Sequence, residues 1–301
     1  MADQKNGKSS NLSRRELILG AGSAGLLLRS SRLRAESVAK KNSQQGSTVV
    51  FTHTTVVNPD AVHKNVALAV EGSEIVAIGP TERVLEMYPR AEIYDGRDKA
   101  LLPGLINCHA HMGAVIARGF NEDFGFPNTA NLAVSPNSLL EGEEDILMVK
   151  IAALEAIKTG TTTIVENTGN IHRDAAALAS TGLRCVFAES VRDAENVRGP
   201  MTPEAFSQSE PPRFSARLRD EGMQRIHDLF SAWHGAEQGR ISVFPAAGLT
   251  ETSSPELLRS VRDFAEEHDV GYTIHLNQSR AEFEFMVKYH GVRPTHYLYQ
   301  H

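Results

Sequence analysis

The sequence predicts an α/β fold, a (β/α) barrel preceded by a small antiparallel sheet, and three observations carry that reading. After Leu101-Leu102-Pro103-Gly104, short apolar strand candidates alternate with long amphipathic helical stretches, the texture of parallel βαβ units. Before that point the residues are dense in Val and Thr and are broken by turn-forming residues, as in hairpins. The 301 residues are 41% hydrophobic and 23% charged, apolar enough for one large domain or two smaller ones.

The first element is read as an address rather than as part of the fold. Ser13-Arg14-Arg15-Glu16-Leu17 leads into an apolar, Gly/Ala-rich stretch ending at Leu28, and Ser37-Val38-Ala39 offers small residues for a signal peptidase. Paired arginines before a weakly hydrophobic core resemble a twin-arginine export signal. Residues 1–39 are therefore expected to be a signal peptide, with cleavage after Ala39 and export through the twin-arginine machinery to the periplasm or beyond. The alternative is a disordered basic N-terminus. Within this stretch Gly20-Ala21-Gly22-Ser23-Ala24-Gly25 matches GxGxxG, the phosphate turn of flavin or nicotinamide enzymes. That turn needs a β-branched strand before it and an acidic residue about 20 positions later, and here Arg14-Arg15-Glu16 precedes it and a Ser/Arg stretch follows. A dinucleotide enzyme is the weakest of the readings. No apolar run reaches the ~20 residues needed to span a bilayer, so no mature transmembrane helix is expected.

The leading sheet comes next. Residues 48–57 form the first strand candidate, closed by Asn58-Pro59-Asp60, and residues 66–70 and 75–78 form a hairpin around Glu71-Gly72-Ser73. A short helix is expected over 81–88, ending at Pro89. The barrel strands follow as 105–109, 162–166, 184–188, 241–246 and 272–275, with helices over 143–158, 173–180, 217–234 and 255–268. Gly160, Gly182 and Gly235 stand where helix ends favour glycine. In such a barrel the active site gathers at the C-terminal ends of the strands.

His109 and His111 lie two apart at the end of the first barrel strand, so both point to the interior face. Two imidazoles in that place suit a zinc ion that keeps one position open for water. His275 ends the fifth strand candidate and belongs at the same rim. The remaining histidines fit less well: His227, His234 and His268 fall in or beside helices, and His53 and His63 lie in the leading sheet, all five expected to be solvated. His172 is expected in a loop, and His290, His296 and His301 come after the last strand. Cys108 and Cys185 form no CxxC pair and are expected to be buried thiols. A net charge of -6 argues against nucleic acid as a partner, which would require clustered Lys and Arg.

Leu102-Pro103-Gly104-Leu105-Ile106-Asn107-Cys108-His109-Ala110-His111-Met112 resembles the amidohydrolase superfamily, whose first barrel strand carries HxH after Pro-Gly. Ala117-Arg118-Gly119-Phe120 and the run from Ala153 through Gly160 to Thr163 resemble the branch of cytosine, guanine and adenosylhomocysteine deaminases and triazine chlorohydrolases. The resemblance runs from about Thr48 to the end of the chain. It implies that residues 40–102 are the N-terminal part of a composite β-sandwich and 103–301 a partial barrel of about five of eight strands. His109, His111 and His275 would ligate one Zn²⁺, with Fe²⁺ as the alternative. Activated water would attack a ring carbon or carbonyl of a small-molecule substrate, hydrolysing a carbon–nitrogen bond other than a peptide bond.

The chain departs from the family in two ways. Three residues after the fifth-strand His, where the deaminase branch carries Glu, stands Gln278, and an amide cannot shuttle a proton. Gln278 is expected to hydrogen-bond the substrate or the water instead, and Glu282 beyond it is read as a surface charge. The family's further His on the sixth strand and Asp on the eighth cannot be placed. The sequence is thus expected to be the N-terminal portion of a longer enzyme and not competent alone. The competing reading is a truncated, inactive fragment or pseudoenzyme that at most binds metal. The insert 119–140 is expected to cover the pocket mouth, substrate identity is not readable, and homo-oligomerisation stays open.

Overall fold

The computed structural model describes residues 48–119 and 136–301. The expected signal peptide and residues 120–135 of the insert 119–140 lie outside the described residues. No helix among those described is long and apolar enough to cross a membrane. The chain divides into two compact units, one ending at Pro103 and the other running from Gly104 to His301.

In the first unit β1 (Thr48–Val57), β2 (Val62–Glu71) and β3 (Glu74–Gly79) form the expected antiparallel meander, followed by α1 (Thr81–Met87). Two short strands were not expected: β4 (Glu92–Asp95) and β5 (Ala100–Leu101) join β1 in parallel, so the sheet is mixed. The residues of β4 are exposed on both faces, so no period-two alternation marks the strand in the sequence. Val50, Ala67, Ala69 and Val84 form the small core of this unit.

The second unit holds the five predicted barrel strands, β6 (Leu105–Ala110), β7 (Thr161–Thr168), β8 (Arg184–Val191), β9 (Ile241–Leu249) and β10 (Thr273–His275). They form one parallel sheet in chain order, as in an incomplete (β/α) barrel. The longer helices are α2 (Glu144–Lys158), α3 (Ile171–Ala179), α4 (Ala216–Trp233), α5 (Pro255–Glu267), α6 (Arg280–His290) and α7 (Pro294–Gln300), with short helical turns at Pro203–Ser207 and Ala236–Gly239. Alternation along the strands turns Ile164, Cys185, Phe187, Ile241 and Val243 towards Val149, Ala153, Leu178 and Leu229 of the helices. A second cluster packs Val191 and Ala247 against Leu257, Val261, Phe264 and Phe285. Gly222 lets α4 lie directly on β8, since a Cβ there would stand 2.9 Å from Val191 Cβ. Gly160, Gly182 and Gly235 all take positive φ after their helices, as expected.

Strands β7, β8 and β9 run two to three residues beyond their predicted ends, and the ladder continues to Thr168↔Glu189 and Val191↔Ala247. Polar residues such as Asn167, Glu189 and Ser190 break the apolar pattern there, although the backbone pairing does not stop. Two expectations about packing are corrected. Cys185 is buried, its thiol pushed up to about 12 by desolvation, but Cys108 is exposed on β6 beside exposed Leu105 and Ile106. His268 is half-buried rather than solvated, its ring 4.5 Å from that of Phe230, whereas His227 and His234 are exposed as expected while their rings lean on Phe264 and Phe230 at 4.8 and 4.2 Å.

Candidate metal centre

The parallel sheet brings the ends of β6 and β10 together, and with them the three histidines singled out above. His109 Nε2 lies 3.1 Å from His111 Nε2, and His275 Nε2 lies 3.4 Å from the same atom. One ligating nitrogen from each ring falls within 4.8 Å of the others, the single such group of His, Cys, Asp or Glu among the described residues. The ring tautomers follow from the backbone. His275 Nδ1 donates to the Gly248 carbonyl at 2.7 Å, which leaves its Nε2 lone pair directed at the other rings. His111 likewise donates to the backbone carbonyl of Asn167, which partly offsets the lowering of its pKa by burial. Burial, then repulsion from His111 and His275, holds His109 below the usual imidazole range. Three imidazoles that bring one ring nitrogen each to a common point form a donor set that fits a divalent transition metal.

Buried carboxylates hold the backbone after His111 and the loops at the same end of the sheet. Glu166, on β7, accepts the Met112 N–H with both oxygens at 3.0 Å, fixing the backbone one residue after His111. Desolvation raises the Glu166 carboxyl to about 8. Glu189 accepts from the backbone N–H of Ile171 at 3.0 Å and from Arg225 at 3.1 Å. Asp193 accepts from the Ser254 N–H at 2.8 Å and from its hydroxyl, tying the start of α5 to the loop after β8.

Glu282 corrects the reading from sequence. It is fully buried, and it accepts from Asn277 N at 3.0 Å, Gln278 N at 2.6 Å and Thr250 Oγ1 at 2.9 Å. It therefore holds the turn that follows His275 instead of facing solvent. Sequence reasoning missed these roles because a carboxylate beside apolar residues carries no sign of which backbone N–H it will meet. The one available signal was position, since Glu166 and Glu189 both stand at the ends of apolar strands.

The three histidines line a cavity of about 1190 Å³, together with Asn167, Ser190, Gly248 and Gln278 from the ends of neighbouring strands and the turn after β10. Gln278 lines the cavity, and its Nε2 is buried without a hydrogen-bond partner. Asn167, which sequence reasoning overlooked, is fully buried, and neither its Oδ1 nor its Nδ2 has a partner. The cavity wall also carries Arg192, Arg198, Arg217, Arg225 and Glu195. The other histidines stay apart from the cluster: His172 sits in the first turn of α3 rather than in a loop, within 3.2 Å of the Arg225 carbonyl.

Residues 100–301 match the Amidohydrolase family. A 5-methylthioadenosine/S-adenosylhomocysteine deaminase of Pelotomaculum thermopropionicum is 27% identical over 256 residues, which cover 84% of this chain and 53% of that protein. The chain spans about half the length of the curated relatives it matches. Among solved structures, an adenosine deaminase from Xanthomonas campestris with bound zinc superposes with a TM-score of 0.68 at 22% identity, covering 86% of this chain and 56% of the other. A triazine hydrolase from Arthrobacter aurescens gives a TM-score of 0.67 at 21% identity, with 85% and 58% covered.

Proposed function

The chain belongs to the amidohydrolase family, and on that premise we propose that its protein is a metal-dependent hydrolase of small molecules, acting on carbon–nitrogen bonds other than peptide bonds. The observation that carries the proposal is the convergence of His109, His111 and His275 on one point at the C-terminal rim of the sheet. In this reading all three hold the metal, Zn²⁺ first and Fe²⁺ as the alternative. A divalent cation held there supplies the Lewis acidity that makes water a nucleophile near neutral pH. Gly248 and Asn167 set the imidazole tautomers through their carbonyls, and Glu166 and Glu282 hold the backbone beside the ligands. Gln278 orients substrate or water by hydrogen bonding and moves no proton itself. Relatives named as deaminases agree with release of an amine or ammonia, and they lend the pseudoenzyme reading no support.

Metal content by mass spectrometry, wild type beside His109→Ala/His111→Ala, tests this directly. Stoichiometric zinc or iron that disappears in the double variant is the expected result. A folded wild type that takes up neither metal from added salts removes the basis of the proposal. We further propose that residues 1–39 direct export by the twin-arginine route and that 40–102 contribute to a composite sandwich. Sequencing of the mature N-terminus checks the first point, with Lys40 expected as the first residue.

A further inference from the structure

We propose that Asn167 orients the substrate, and that it reads a neutral edge with a donor beside an acceptor: a ring nitrogen next to an amino group, or the C=O and N–H of an amide. The inference rests on the proposed function and names the part of the substrate that faces the metal centre. Strand alternation turns Ile164 to the helices and so turns Asn167 to the interior face, where it lines the cavity beside His109 and His111. Its side chain is 0% exposed, and both polar atoms lack a partner. An amide buried in this way is costly in a native fold and calls for a reason, and a ligand that completes both bonds supplies one.

Two further observations point to a neutral partner. Gln278 aims a second unpartnered amide nitrogen into the same cavity from the turn after β10. The buried acids around it, Glu166, Glu189, Asp193 and Glu282, are each engaged by backbone N–H groups and are not free to bind a cationic ligand. None of these four lines the cavity; its one lining carboxylate among the described residues is the exposed Glu195, and the buried unpartnered groups beside the histidines are amides. The two ends of a carboxamide match an aminoheterocycle edge, the geometry by which Asn reads adenine in nucleic acids.

The test compares wild type with Asn167→Leu and Asn167→Asp after zinc loading, with adenine and unsubstituted purine as calorimetric probes and thermal unfolding alongside. Wild type is expected to bind adenine more tightly than purine; Asn167→Leu is expected to bind adenine about thirtyfold more weakly, as for two neutral hydrogen bonds lost, and Asn167→Asp, which keeps an acceptor and loses the donor, at least about fivefold more weakly. Zinc stoichiometry should not change. Asn167→Leu should melt at or above the wild-type temperature, because it removes two unpartnered buried polar groups. The inference is overturned if wild type does not prefer adenine, if the variants bind it equally well, or if Asn167→Leu melts well below wild type with the fold intact. Failure of wild type to take up zinc counts against the proposed function instead. The melting comparison reads Asn167 alone and holds with or without metal.

Discussion

Replacing Glu282 separates a buried clamp from a surface charge. A charge on the surface would contribute within about 0.5 kcal/mol, the usual range for exposed substitutions away from special features. In the structure Glu282 is fully buried and accepts from two backbone N–H groups and one hydroxyl. Glu282→Ala leaves those donors without an acceptor. Gln278 N and Thr250 Oγ1 bear most of the loss at roughly 1–3 kcal/mol each, and Asn277, which is exposed, can turn to water at little cost. The expected loss is about 2–6 kcal/mol, a large share of the 5–15 kcal/mol typical of a domain. Glu282→Gln keeps one acceptor oxygen and should lose about 1–2 kcal/mol. Urea unfolding read by fluorescence and by far-UV circular dichroism measures both variants. Because the released turn follows His275 directly, zinc affinity should fall as well, read by competition with a chelating dye. An alanine variant within 0.5 kcal/mol of wild type, with unchanged zinc affinity, would refute the clamp.

Three other outcomes follow from the same structure. The Glu166 carboxyl is raised from about 4.5 to about 8, so the folded state holds a proton that the unfolded state releases first, and stability should decline by about 1 kcal/mol per pH unit as pH rises through that window. Glu166→Gln should flatten that decline in urea titrations run from pH 5 to 8. His109 and His111 lie below the usual imidazole range, so the unfolded chain takes up protons first and the metal-free protein should lose stability as pH falls below about 6.5, while zinc release, followed with a fluorescent indicator, should require more acid than free imidazole would. Gly222→Ala would place a Cβ 2.9 Å from Val191; overpacking of about 1–3 kcal/mol outweighs the ~1 kcal/mol gained in helix propensity, and the melting temperature should drop.

The strands and their order were legible because each carries an apolar run between turn residues, and the HxH pair was legible because two histidines two apart at a strand end must share a face. The pattern faded at the polar ends of β7 and β8, where Asn167, Glu189 and Ser190 continue the ladder without apolar side chains. Those unread ends line the site. Strand β4 escaped notice for the complementary reason, since its exposed residues show no alternation.

By itself the sequence determined the parallel α/β architecture and the positions from which His109, His111 and His275 could meet, because hydrophobic periodicity and strand-end placement are local properties of the chain. Only the tertiary structure decided that the three Nε2 atoms lie within one ligand sphere, that Glu282 is a buried clamp, and that Asn167 stands unpartnered in the cavity. The ligand sphere above all depends on groups distant in sequence, His111 and His275 standing 164 positions apart. A hydrogen bond or a lone pair acquires its role only once the sheet has set its direction.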